Sequence, residues 1–120
     1  LEKKIFLLGY KKNILEYLRK SYCFILSSLW EDPGFVLIES AMTNTIILSS
    51  NCDSGPKDFL KDGINSFVYE SNNMKSFLDT FDNFLNTEKA ERYKMKISMK
   101  RTIKKFTMFN HYKNLKKIIL

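Results

Sequence analysis

Runs of consecutive apolar residues alternate along this chain with segments whose apolar residues recur every three or four positions. A continuous run of strand length suits a strand covered on both faces, whereas the wider spacing lines one face of a helix. Lys4 to Gly9 (KIFLLG), stopped by glycine, predicts a buried first strand. Tyr22 to Ser27 predicts a second, Thr45 to Ser49, rich in β-branched residues, a third, and Ser66 to Tyr69 a fourth. Between them, Asn13 to Ser21 carries Ile14, Leu15 and Leu18 at helical spacing, and Phe35 to Met42 carries Phe35, Ile38 and Met42. Ser54-Gly55-Pro56 breaks the chain before a short helix at Lys57 to Leu60, which Asp62-Gly63 ends. Met74, Phe77, Leu78, Phe81 and Leu85 mark the clearest amphipathic helix, with this stripe expected in the core. A basic helix follows over Glu88 to Lys105, and Thr107 reads as the N-cap of a last helix carrying Met108, Tyr112, Leu115 and Ile119.

Strands that alternate with helices define an α/β fold, a Rossmann-like parallel sheet wrapped by helices through right-handed crossovers. The organisation expected is a sheet unit over residues 1–87 and basic C-terminal helices over 88–120. Ligands of such sheets bind at the carboxyl ends of the strands, here Gly9-Tyr10, Ser27 to Gly34 and Ser49 to Pro56.

Composition narrows the classes. With 44% hydrophobic and 28% charged residues in 120, the chain reads as a globular domain or part of one. No apolar run approaches the roughly 20 residues that span a bilayer, and the start lacks the long apolar stretch of a signal peptide. The start also lacks an initiator Met, as expected if the beginning of the protein is missing. The net charge of +7 comes mainly from lysines after residue 88. Such a tail suits a solvated face or an anionic membrane surface. Arginines are few, so nucleic acid is not the expected partner. Cys23 and Cys52 lack metal-ligand spacing and read as free thiols in a reducing compartment, so a cytoplasmic location is expected.

The segment SLWEDPGFVLIESAM, residues 28–42, carries the candidate chemistry. If the strand ends at Ser27-Ser28 and the helix begins near Gly34, the amides of Gly34, Phe35, Val36 and Leu37 have no intrahelical acceptor. They point out of a helix end carrying about half a positive charge, which suits a diphosphate. Gly34 lets a ligand approach the backbone, and Pro33 stiffens the turn. A carboxylate accepts hydrogen bonds from sugar hydroxyls, so Glu39, one turn in, suits a pair of them and Glu31, in the preceding loop, can reach the other end of the ligand, one carboxylate holding a ribose and the other a hexose. The alternative is a solvent-facing helical charge at Glu39 and a loop charge at Glu31. Trp30 fits either a pocket wall or the core, Ser54 and Gly55 either a plain turn or the site floor, and His111 a surface or packing role.

Several blocks in order resemble the retaining glycosyltransferases of family 4, which have the GT-B fold. They are Ile5-Phe6-Leu7-Leu8-Gly9, Ser28-Leu29-Trp30-Glu31 with Phe35 and Glu39-Ser40-Ala41-Met42, Ile46 to Ser49, Ser54 to Leu60, and Asp62-Gly63-Ile64-Asn65. The Trp-Glu-Asp-Pro-Gly-Phe form is similar to that of members building bacterial surface polysaccharides. Departures are Asn44 and Thr45 in place of the usual Gly and Pro, Ser66 for Gly and Asp58 for Glu. The resemblance implies part of the C-terminal, nucleotide-sugar-binding half of a GT-B enzyme. The N-terminal domain that binds the acceptor would be missing, as would the Arg and Lys that neutralise the diphosphate. It implies that Glu39 holds the ribose and that Glu31, the candidate catalytic residue, lies by the sugar. Gly34, Phe35, Val36 and Leu37 would meet the diphosphate and sugar, and Tyr10 the nucleobase. No metal or other cofactor is expected. The acceptor would be a glycan or lipid-linked sugar, with peripheral contact at the inner face of the plasma membrane as a further partner. The non-enzymatic alternative is a truncated α/β nucleotide-binding or interaction module without catalytic activity.

Overall fold

The computed structural model describes residues 4–119. Three parallel strands, β1 (Cys23–Leu26), β2 (Ile46–Ser50) and β3 (Phe67–Tyr69), form one sheet in that order. In register, Leu26 sits opposite Ser49, and Ser49 opposite Val68. The helices are α1 (Ile14–Lys20), α2 (Phe35–Met42), α3 (Pro56–Phe59), α4 (Met74–Asn86), α5 (Lys89–Ile103) and α6 (Met108–Ile119). A 3₁₀ turn over Lys104–Phe106 precedes α6. Sheet order and direction are those expected of right-handed β-α-β units.

The first expected strand does not form. Ile5 to Leu8 are exposed, Leu7 by 97%, and the segment pairs with no described strand. Apolar content alone cannot make a strand; its amides and carbonyls need a neighbour. β1 is therefore an edge, with Ile25 exposed.

β2 is the central strand and every residue in it is buried. One face of the sheet packs Leu26, Ile47, Phe59 and Leu60 with Leu37 and Ala41 of α2 and Met99 and Ile103 of α5. The other packs Ile46, Leu48 and Phe67 with Phe84 of α4 and Met95 of α5. α5 thus reaches both faces of the core, while every apolar side chain of α6 from Met108 to Ile119 is exposed. The buried side chain of Asn65 ties α5 to the loop before β3. It donates to the Phe59 carbonyl at 2.8 Å and to Thr102 Oγ1 at 3.3 Å, and accepts from the Lys61 amide at 2.7 Å.

The buried face of α4 differs from the expected stripe. Phe84 is buried and Phe77 and Phe81 are half-buried, whereas Met74, Leu78 and Leu85 are exposed. The apolar arc is wider than the sheet beneath it, so Phe84 meets Phe67, Phe77 meets Tyr69, Phe81 packs between the two, and the rest stay at the rim. Thr107 caps α6 as expected, its Oγ1 accepting from the Asn110 amide at 3.3 Å, and Asn73 Oδ1 caps α4 by accepting from the Ser76 amide at 3.0 Å. At the end of α2, Asn44 adopts φ 68°, the left-handed conformation glycine otherwise supplies at this position. Both cysteines are free thiols, and burial pushes the Cys23 thiol above its usual range.

Candidate functional site

The loops that leave β1 and β2 meet at the carboxyl edge of the sheet. The β1 exit is pinned from both other strands: Ser50 Oγ donates to the Ser28 carbonyl at 2.6 Å, and Tyr69 Oη donates to the Leu26 carbonyl at 2.7 Å. Burial, with Cys52 nearby, raises the Tyr69 phenol above its usual range, which keeps this donor protonated. Trp30 pairs with Asp53 in an isolated parallel bridge, so the β1 and β2 loops run side by side beyond the sheet. Trp30 itself is exposed rather than part of the core.

Glu31 sits at this junction. Ser28 Oγ donates to its Oε1 at 2.5 Å, which fixes the carboxylate on the loop. Beside it, Lys57 donates to the Asp53 carboxylate and holds that carboxyl below its usual range.

Gly34 is the N-cap of α2, with φ 75°. A Cβ there would lie 3.2 Å from Leu37 Cδ1, so glycine serves both the left-handed turn and the packing of the fully buried Leu37. Having no side chain, Gly34 leaves the helix without a side-chain cap, and no acid stands in the first turn. Among the described residues nothing accepts from the Phe35 or Val36 amides. The Leu37 amide departs from expectation: it donates to the Gly34 carbonyl at 3.0 Å, a tight first turn that removes it from the set of open donors.

Glu39 lies one turn beyond Phe35 on the same helical face, and Phe35 is 67% exposed. Glu39 is half-buried, and its carboxylate has no hydrogen bond or ion pair among the described residues. Leu37, Ser40 and Ala41 occupy the opposite, buried face and fix the rotation of the helix. Tyr10 makes no side-chain hydrogen bond to this group among the described residues. It follows the unpaired first segment and is 88% exposed.

Gly55, read from sequence as a plain turn or the site floor, approaches the site closely. A Cβ there would lie 2.9 Å from the Pro33 carbonyl oxygen and 3.4 Å from Glu31 Cβ, at φ 49°. The Ser54-Gly55-Pro56 string was the available signal, but only the fold reveals that it backs onto Pro33. Gly55→Ala is expected to cost about 1–3 kcal/mol through strain and displacement of the Glu31–Pro33 loop. Gly63→Ala, where a Cβ meets nothing within 4 Å, is expected to cost less. Urea denaturation of the two variants tests the difference.

An uncapped helix start, a pinned carboxylate before it and an unpaired one within it can together hold a ligand bearing both anionic oxygens and hydroxyls. The chain belongs to the family of glycosyl transferases group 1, whose model matches residues 1–105. An uncharacterized glycosyltransferase of Methanocaldococcus jannaschii is 38% identical over 60 residues, 50% of this chain and 15% of that protein. The Escherichia coli UDP-Gal:α-D-GlcNAc-diphosphoundecaprenol α-1,3-galactosyltransferase is 32% identical over 79 residues, 66% of this chain and 20% of that protein. The chain therefore corresponds to a small part of either relative. Among solved structures, Anabaena HepE in complex with UDP and glucose superposes with a TM-score of 0.85 at 14% identity, covering 100% of this chain and 33% of that one. A glycosyltransferase from Rickettsia africae gives 0.83 at 21% identity, covering 98% and 32%. The fold is thus part of a GT-B glycosyltransferase.

Proposed function

We propose that this chain is the donor-binding part of a retaining glycosyltransferase of family 4, acting in surface polysaccharide synthesis. The parent enzyme would move a sugar from a nucleotide-sugar to a glycan or lipid-linked acceptor. The observation that carries this is the helix α2 start: two open amides, no cap and no first-turn acid, with Glu31 pinned before it and Glu39 unpaired within it. The diphosphate lies on the Phe35 and Val36 amides, the ribose hydroxyls donate to Glu39, and the sugar hydroxyls donate to Glu31. Tyr10 lies beside the nucleobase. No metal takes part; charge on the diphosphate is met by amides and by cations of the segment before residue 1. The acceptor oxygen attacks the anomeric carbon on the face that the leaving phosphate departs from. The carbon–phosphate-oxygen bond breaks, and the acceptor proton passes to the leaving phosphate, so no side chain is a nucleophile.

Support for the acceptor class comes from the relatives, one named for a diphosphoundecaprenol-linked substrate and another, from Staphylococcus aureus, for poly(ribitol-phosphate). Each cationic contact that the diphosphate would receive from outside these residues is worth about 1.5–3 kcal/mol, roughly ten- to a hundredfold in affinity. The isolated chain is therefore expected to bind nucleotide-sugar weakly and to transfer none. Radiolabelled transfer assays with a lipid-linked acceptor test this, and transfer by the chain alone contradicts it.

A further inference from the structure

We propose a second ligand site, for a phosphate-bearing group, at the amino ends of β1 and β2, the end of the sheet opposite the α2 start. A concave surface of about 270 Å³ is lined there by Ser21, Tyr22, Lys89, Arg92, Tyr93 and Lys96, with Ile46 beside them. Lys89, Arg92 and Lys96 fall at i, i+3 and i+7, so one face of α5 presents three cations to one hollow. No carboxylate lines it. Among the described residues the only ion pair is Lys57–Asp53, so none of the three is neutralised.

Arg92 is held in position. It donates to Tyr22 Oη, and its guanidinium lies 5.2 Å from the Tyr22 ring centroid and 5.5 Å from that of the buried Phe84. Its remaining N–H groups have no acceptor among the described residues. A guanidinium and two ammonium groups offer donors and no acceptor, so the complementary ligand is an anion rich in acceptor oxygens. Mutual repulsion of three cations on one helical face is relieved by such a ligand. A free diphosphate and the phosphodiester headgroup of an anionic lipid share this chemistry.

This site does not depend on the donor-site reading. The test uses the full 120-residue chain in two arms: calorimetric titration with inorganic pyrophosphate, and flotation with phosphatidylglycerol–phosphatidylcholine vesicles against phosphatidylcholine alone. Lys89→Gln/Lys96→Gln leaves the packing of Arg92 intact, and Lys113→Gln/Lys116→Gln removes the same charge from α6. The site variant is expected to weaken binding at least about tenfold and the α6 variant less than about twofold, with circular dichroism unchanged in both. The arm in which binding saturates identifies the source of the phosphate. Equal weakening by both variants, pyrophosphate binding that ignores the site variant, or no saturable binding in either arm overturns the proposal.

Discussion

Glu39→Ala is expected to weaken nucleotide-sugar binding by about 10- to 100-fold while leaving the fold intact. The residue is half-buried, and among the described residues its carboxylate bonds to nothing, so its removal breaks no hydrogen bond or ion pair. Surface-type substitutions of this kind change stability by no more than about 0.5 kcal/mol. In the proposed complex it accepts two hydroxyl donors, and charge-assisted hydrogen bonds contribute about 1.5–3 kcal/mol. Asp79→Ala, at an exposed position on α4, is the control and should leave binding unchanged. Titration of both variants by NMR, which reads weak affinities, checks the difference. Equal binding by wild type and Glu39→Ala would remove the ribose role from this residue.

Phe84→Ala is expected to be the most destabilising single substitution, at about 3–5 kcal/mol. Phe84 is 1% exposed and joins three rings, with centroids 5.2 Å from Tyr22, 5.5 Å from Phe67 and 6.0 Å from Phe81. Truncation leaves a cavity between α4 and the sheet and removes one of the two rings beneath Arg92. Since domains are stable by only about 5–15 kcal/mol, this one change should bring the chain close to unfolding. The adjacent Leu85→Ala, half exposed at the rim, should cost less than about 1.5 kcal/mol. Chemical denaturation midpoints separate the two outcomes.

The contrast between Phe84 and Leu85 shows what the pattern of residues conveyed and what it withheld. Period and turn chemistry located α2, α4, β2 and β3 within a residue or two, because buried strands and amphipathic helices mark themselves locally. The face that α4 buries depends on the width of the sheet, a tertiary property, and the sequence stripe pointed at Leu78 and Leu85 when the core takes Phe84. The run Ile5 to Leu8 looked like a strand by every local test, yet strand formation depends on a neighbour to accept its hydrogen bonds. At the candidate site, Gly34, Glu31 and the open Phe35 and Val36 amides followed from the turn and the helix start. The Leu37 amide did not, because tightening of the first turn is decided by packing of its side chain. The approach of Gly55 to Pro33 joins residues far apart in sequence, and no spacing rule encodes it.

The most direct measurement is amide mapping of the ¹⁵N-labelled chain during titration with UDP and other nucleoside diphosphates. The account predicts that the Phe35 and Val36 resonances shift most and in saturable fashion, with Glu31 and Gly34 following and the Leu37 amide, already hydrogen-bonded, moving less. Shifts confined to α5 and α6, with Phe35 and Val36 unmoved at saturating ligand, would contradict it.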